Sequence, residues 1–254
     1  MTVAAGCALA AALASGPALA APVTLDFEEF ANGDIVNGSQ GVGISGVNGS
    51  GAANPVVAFF TDPGLNGEDP DLQAPFDPIP ADVPALGLTQ GEQGDGAGGD
   101  NPVILIIQED PNECGATSCP SPDDEAGGGA VTFDFTSFGG VTLLTIDLFD
   151  IDDSFPSPES VTITSFDGGM TQLGTNTISG LLIGENAAGR LDLSVFLNGG
   201  NTGVSFLEVA FASSGATGNV TFQTRIPGPA PLAILAVGLA GVGIARGRAK
   251  RRQR

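Results

Sequence analysis

The chain has 254 residues, of which 29 are acidic and only 8 are basic, and its formal net charge at pH 7 is −21. Such a protein repels nucleic acid, because phosphate groups are neutralised by Lys and Arg side chains. The sequence contains no His, which excludes nucleophiles activated by His and zinc sites that use imidazole. We find no catalytic motif and no catalytic residue, and we therefore expect a protein that is not an enzyme.

The first twenty residues have the pattern of a secretory signal peptide. Residues 1–20 carry no charge, are rich in Ala and Leu, and end in Ala18-Leu19-Ala20 before Ala21. Small residues in this arrangement are typical of a cleavage site. The sequence therefore predicts a signal helix over 1–20 and an exported chain that starts at residue 21.

Residues 21–225 are predicted to form one acidic domain of β-strands. Apolar and polar residues alternate, as in Val23, Leu25 and Phe27, and this period of two is typical of strands with one buried face. The run VILIIQ at 103–108 is apolar on both faces, which predicts a central buried strand. Strands are also predicted at 180–183 and 190–197. Because Gly and Asn separate many of the strands, we predict an all-β antiparallel sandwich or jelly roll of about ten strands.

The segment 61–101 differs from the rest of this domain. It is rich in Pro, Gly and Asp and has little apolar periodicity. Loops of this length in compact domains are usually functional or disordered. We therefore predict a long mobile loop on the rim of the sandwich.

Cys114 and Cys119 are the only cysteines after the predicted signal peptide. Exported proteins are oxidised, which favours a disulfide between the two residues. A metal site made of Cys alone would need more thiolates than these two. The sequence therefore predicts a structural disulfide.

Three groups of acidic residues have the composition of calcium-binding loops, which supply about six to eight oxygen ligands. They are Asp26 with Glu28; Glu109, Asp110, Asp123, Asp124 and Glu125; and Asp147, Asp150, Asp152 and Asp153.

The third group lies at the end of a predicted strand. The alternation of Leu144, Ile146 and Leu148 places Asp150 on the same apolar face, where a carboxylate needs a partner. A metal ion is one such partner, and a solvated acidic loop is the alternative. We predict bound calcium, and the predicted ligands are Asp26, Glu28, Asp147, Asp150, Asp152 and Asp153.

The last 29 residues, 226–254, have three parts. The short motif Ile226-Pro227-Gly228-Pro229-Ala230 comes first, and the uncharged segment 232–245 follows, which would make roughly 21 Å of helix. The chain ends in a basic cluster made of Arg246, Arg248, Lys250, Arg251, Arg252 and Arg254. A hydrophobic helix followed by cations predicts a marginal membrane span whose cationic end stays in the cytoplasm.

This layout resembles the PEP-CTERM sorting signal of exported proteins from Gram-negative bacteria. Pro227, Pro229 and Ala230 match the V-P-x-P-A variant of the motif, whereas Gly228 replaces the acidic residue of the usual Pro-Glu-Pro. The resemblance implies that the tail is recognised by exosortase, a membrane cysteine protease, often in bacteria that make exopolysaccharide. It implies a precursor anchored in the membrane by the C-terminal helix and a final location at the cell surface or in the extracellular matrix.

We interpret the chain as an exported β-sandwich with a structural or interaction role in the cell envelope or matrix. One alternative is a module that binds carbohydrate, specifically exopolysaccharide. The chain has no Trp or Tyr, the residues that commonly stack on sugar rings, and this argues against that alternative. A second alternative is a glycoside hydrolase that uses two carboxylates.

Overall fold

The computed structural model of the chain describes residues 19–61, 72–91, 94, 101–151 and 159–225. Residues 21–224 form one compact unit. A second unit comprises 1–20 and 225–254, and within it Leu19 and Arg225 form an isolated antiparallel bridge. The predicted signal helix up to residue 18, Asp152, Asp153, the sorting motif, the apolar segment and the basic cluster lie outside the described residues.

The described residues form sixteen strands in two sheets. The nine-stranded sheet contains β1 (Val23–Leu25), β5 (Val56–Phe60), β6 (Asp77–Pro78), β7 (Leu88–Gln90), β8 (Val103–Ile107), β10 (Val141–Ile151), β13 (Gly184–Asp192), β14 (Thr202–Val204) and β16 (Ala216–Thr224). The seven-stranded sheet contains β2 (Gly38–Ser39), β3 (Val42–Asn48), β4 (Ala53–Asn54), β9 (Gly129–Asp134), β11 (Ser160–Phe166), β12 (Gln172–Ser179) and β15 (Phe206–Phe211). The prediction of an all-β protein is confirmed.

The strand order is β5-β8-β16-β10-β13-β6 in the nine-stranded sheet, and β1, β14 and β7 pair with β16, β10 and β13. In the seven-stranded sheet the order is β12-β11-β15-β9-β3-β2, and β4 pairs with β3. Within the described ranges, the pairs of named strands are antiparallel except for the short β13–β6 pair.

The main hydrophobic core lies between the two sheets. Val131 and Phe133 of β9 belong to the same buried cluster as Leu143, Ile146 and Leu148 of β10. Alternate residues of β9 and β15 point into this cluster, as the period of two requires. The arrangement is a two-layer β-sandwich, consistent with the sequence prediction.

A second, smaller core covers the opposite face of the nine-stranded sheet. Ile104 and Ile106 of β8 point into this second cluster, whereas Val103, Leu105 and Ile107 point into the main core. All five residues of β8 are buried, so the predicted burial of VILIIQ on both faces is confirmed.

The covering layer comes from the segment predicted to be a mobile loop. Leu72, Ala74 and Phe76 are buried in the second core, and the Phe76 and Phe149 ring centroids lie 4.8 Å apart. Strands β6 and β7 from the same segment pair with β13. Residues 72–76 are therefore packed against the sheet. The three buried residues do alternate with Gln73 and Pro75, but this run is short and lies in a segment rich in Pro, Gly and Asp, so the sequence pattern predicted a loop there.

One predicted strand is wrong and another is too long. Residues Gly180–Leu182 form a 3₁₀ turn, and β13 ends at Asp192, after which Leu193–Phe196 form the short helix α1. The Asp192 carboxylate accepts a hydrogen bond of 2.8 Å from the backbone amide of Ser194, an N-cap that ends the strand and starts the helix. Strand β12 was not predicted, because its mostly exposed sequence lacks apolar alternation.

No helix in the described ranges combines the length and the apolar character that crossing a bilayer requires. The predicted membrane helix lies outside these ranges.

Candidate functional site: the acidic pocket beside the disulfide

Many acidic side chains accept a hydrogen bond from the backbone amide two residues later. They are Asp26, Asp110, Glu125, Asp134, Asp167 and Asp192. An Asp in a turn commonly satisfies a backbone donor in this way. Many of the carboxylates therefore have a local structural role in turns that requires no cation.

The candidate site is an open depression at the end of β8, which we call the acidic pocket. Its lining consists of Gln108, Glu109, Asp110, Glu113, Ser121 and Asp123, and its volume is about 350 Å³. Residues 109–113 leave the sheet on one side, and residues 121–124 return on the other through an isolated bridge between Gln108 and Asp124. The two acidic stretches that are separate in sequence therefore meet in the fold.

The side chain of Gln108 holds the two sides of the pocket together. Its amide donates a hydrogen bond of 3.0 Å to the carbonyl of Ser121, and its carbonyl accepts one of 3.2 Å from the backbone amide of Asp123. Gln108 is only 1% exposed, so both bonds lie in a poorly hydrated position. This glutamine was not singled out by the sequence, although a polar residue that ends an otherwise apolar strand is a usable signal.

The predicted disulfide between Cys114 and Cys119 is present. The disulfide joins the two ends of the loop that connects the two sides of the pocket. Glu109, Asp110 and Asp123 belong to one of the acidic groups noted in the sequence, and all three line the pocket because the short disulfide loop brings its flanking residues close together.

Glu109 and Asp123 form a carboxyl pair. Partial desolvation raises the pKa of Glu109, and the charge of Asp123 and a hydrogen bond to that side chain raise this pKa further. Glu125 and Asp110 contribute smaller repulsions in the same direction. Repulsion between neighbouring carboxylates therefore favours the protonated form of Glu109 relative to an isolated glutamate.

Asp147, a predicted calcium ligand, has a protein partner instead. It lies opposite Arg190 in the register of β10 and β13, and the guanidinium donates two hydrogen bonds of 2.6 Å to its carboxylate. The Asp147 side chain is 1% exposed and that of Arg190 is 41% exposed. Burial raises the pKa of Asp147, while the hydrogen bonds and the charge of Arg190 oppose this rise. Arg190 is the only basic residue between 21 and 224, and it neutralises the buried acid.

Asp150 does not lie on the apolar face where the alternation of Leu144, Ile146 and Leu148 placed it. The pairing of β10 is irregular between Leu143 and Thr145 and again between Phe149 and Ile151. As a result Leu143 and Ile151, rather than Leu144 and Asp150, belong to the main core. Asp150 has a positive φ of 51° and accepts a hydrogen bond of 2.6 Å from the backbone amide of Asn186. Each bulge moves every later residue of the strand to the opposite face, and the alternation of residue types does not show where a bulge occurs.

The six predicted calcium ligands are not brought together where they are described. Asp26 follows β1 and bonds to the backbone amide of Glu28, whose side chain is exposed, while Asp147 and Asp150 have the partners given above. In the described ranges, no three acidic or Cys side chains form a group that could hold a metal ion. Asp152 and Asp153 lie outside those ranges, and calcium binding stays a prediction.

No protein-family model matches the sequence, and no curated protein matches it. Among solved structures, a DUF4465 family protein from Bacteroides caccae is similar to this chain, with 12% identity and a TM-score of 0.34. The similarity covers 80% of this chain and 99% of that chain. A likeness at this TM-score carries no argument about function.

Proposed function

We propose that this protein is exported, sorted through its C-terminal signal, and acts in the cell envelope or extracellular matrix as a β-sandwich with a structural or interaction role. The observation that carries the proposal is the separation of charge along the chain. All 29 acidic residues lie between 21 and 225, whereas six of the eight basic residues lie between 246 and 254. A basic cluster after an apolar segment serves as a membrane stop signal. The acidic domain does not require this cluster in order to fold.

The disulfide supports the same proposal. Disulfides persist in oxidising compartments outside the cytosol, and Cys119 is buried at 1% exposure in the second core. The negative domain repels anionic lipid and anionic polymers at close range. Its direct partners in a matrix are therefore neutral or cationic, or are bridged by divalent cations.

Processing of the tail is the main test. In a Gram-negative host with an exosortase, replacing Pro227, Gly228 and Pro229 by Ala should leave the full-length precursor in the membrane fraction. Ile234→Val, which preserves the hydropathy of the apolar segment, is the matched control and should be processed normally. Immunoblots of membrane and released fractions, together with the mass of the mature protein, measure the outcome. Normal processing of the triple variant would contradict the proposal.

Calcium binding is the second part of the proposal and has a separate test. A ligand that binds only the folded state at 100 times its Kd stabilises that state by about 2.7 kcal/mol. Calcium added to the chelator-treated full chain should therefore raise the melting temperature. An unchanged melting temperature at millimolar calcium would reject calcium binding and leave the sorting proposal intact.

Variants can then place the calcium. Glu109→Gln removes one acid of the acidic pocket, and the control Glu208→Gln removes a partly exposed acid from β15 in the other sheet. Loss of the calcium effect in Glu109→Gln alone would place the ion at the pocket. Retention of the effect in both variants would exclude Glu109 as a ligand and leave the six predicted ligands to be tested by further variants.

A further inference from the structure

The strand β5 lies at the end of the nine-stranded sheet, yet its outer edge is covered. Residues 33–36, which we call the edge cover, run alongside it. The amide of Gly33 donates to the carbonyl of Ala58 at 2.8 Å, the amide of Ala58 donates to the carbonyl of Asp34 at 2.9 Å, and the amide of Val36 donates to the carbonyl of Val56 at 2.8 Å. An uncovered edge strand exposes backbone groups that other strands can pair with. The edge cover satisfies these groups of β5.

The edge cover is itself held by the disulfide loop, residues 114–119. The amide of Ile35 donates to the carbonyl of Thr117 at 2.9 Å, and the amide of Cys119 donates to the carbonyl of Gly33 at 2.8 Å. Asp34 and Ser118 form an isolated antiparallel bridge between these bonds. The edge cover therefore lies between β5 on one side and the disulfide loop on the other.

Packing reinforces this arrangement. Cys119 is 1% exposed and belongs to the second core with Val57 of β5, and Ile35 and Cys114 pack against the same cluster. Gly33 has a φ of +81°, and a Cβ on this residue would lie 2.3 Å from the carbonyl oxygen of Cys119. Only glycine allows the edge cover to approach the disulfide loop so closely.

We propose that the Cys114–Cys119 disulfide is a redox-controlled strap that keeps the edge cover on β5. A thiolate of a small dithiol reductant attacks the sulfur of Cys114, because Cys114 is the more exposed of the two residues. The S–S bond breaks and Cys119 leaves as a thiolate, which takes up a proton. The second thiolate of the reductant then attacks the mixed disulfide and releases Cys114. Two protein thiols form, and the reductant becomes a cyclic disulfide.

Breaking the strap changes the probability that the edge cover opens. A disulfide that closes a loop of six residues lowers the conformational entropy of the opened loop. This loss of entropy corresponds to about a 30-fold change in the equilibrium constant for opening. Reduction should therefore make opening of the edge cover roughly 30-fold more frequent, while strands far from the disulfide loop stay closed. The inference does not depend on where the protein is exported or on whether it binds calcium.

Hydrogen exchange of the full chain tests the proposal. The amides of Gly33, Val36, Ala58 and Cys119 should exchange about 30-fold faster in the presence of a dithiol reductant, and reoxidation should restore their protection. The amides of β11, in the interior of the other sheet, should not change. Unchanged exchange at the edge cover would overturn the proposal, and so would an equal increase at β11, which would show global unfolding instead of local opening.

A pair of glycine variants tests the strap without breaking the disulfide. Gly33→Ala places a methyl group against the Cys119 carbonyl, and Gly51→Ala introduces the same strain at a φ of +81° with no atom within 4 Å of the new Cβ. In the oxidised protein, Gly33→Ala should speed exchange at Ala58 and speed reduction of the disulfide by the dithiol. Gly51→Ala should change neither rate. Equal rates in the two variants would overturn the proposal.

Discussion

The two sheets of this sandwich differ in what lies on their outer faces. The outer face of the nine-stranded sheet is covered by residues 72–76 and by the disulfide loop, so that β8 is buried throughout. In the seven-stranded sheet, β15 alternates between buried and partly exposed residues, and its outer face meets water. The comparison shows that the same antiparallel architecture produces either a continuous apolar pattern or an alternating one, depending on what covers it.

The two sheets also differ in the burial and hydrogen bonding of their polar side chains. On the covered sheet, Asp147 and Thr217 are buried at 1% and 0% exposure, and each has a specific partner. On the open face, the hydroxyl groups of Thr162 and Thr177 pair at 2.8 Å, and this pair is exposed. Water can replace a lost partner only on the open face, so equivalent substitutions should cost different amounts on the two sheets.

The largest expected effect is the loss of an aromatic side chain from the second core. Phe149→Ala should lower the free energy of unfolding by about 3–5 kcal/mol, because Phe149 is fully buried against Phe76. Phe166→Ala, on the outer face of β11, should cost less than half as much. Denaturant unfolding of both variants measures the difference. Equal losses would show that residues 72–76 do not cover the sheet tightly.

The next effect concerns the buried ion pair. Arg190→Gln should lower the free energy of unfolding at pH 7 by about 2 kcal/mol, since it leaves the Asp147 carboxylate buried without a cation. This loss should shrink as the pH falls, because burial raises the pKa of Asp147 and the acid can then protonate. The double variant Arg190→Gln/Asp147→Asn should be more stable than Arg190→Gln at neutral pH. Glu208→Gln on the open sheet, the control, should change stability by less than about 0.5 kcal/mol.

A smaller effect comes from one substitution made on both sheets. Thr217→Val removes a buried hydroxyl that donates to the carbonyl of Asp147 at 3.2 Å and should cost about 1 kcal/mol. Thr162→Val removes an exposed hydroxyl and should cost no more than a few tenths of a kcal/mol. Chemical denaturation of the two variants distinguishes these costs. A larger cost for Thr162→Val would reverse the comparison.

The smallest effects concern carboxyl groups at the strand ends of each sheet. After β8, desolvation and Asp123 raise the pKa of Glu109; after β11, backbone amides of Thr171 and Gly169 lower the pKa of Asp167. The contribution of Glu109 to the free energy of unfolding should therefore fall as the pH rises from the pKa of an ordinary glutamate through the pKa of Glu109 in the folded state. The stability from Asp167 should be present at neutral pH and be lost as the pH falls through its folded pKa. Carboxyl-carbon NMR titrations measure both midpoints, and the reverse order would contradict the site geometry.

Some features of the candidate site followed from residue spacing. The disulfide could be predicted because only two cysteines follow the predicted signal peptide, and the predicted export would place them in an oxidising compartment. The partner of Asp147 could not be predicted, because Arg190 lies 43 residues away and only the register of β10 and β13 brings them together. The same limit applies to Gln108, whose bonds to residues 121 and 123 depend on the path of the disulfide loop.

The sequence alone determined that the domain is built from β-strands, because a period of two in apolar residues is a local property of each strand. It also determined the separation of charge, which is a property of composition. Only the tertiary structure decided which face of each strand is covered, which side chains line the acidic pocket, and which acid pairs with Arg190. These depend on strand register, on bulges such as the one at Asp150, and on the position of residues 72–76 against the nine-stranded sheet. Such pairings join residues far apart in the chain, so no local pattern specifies them.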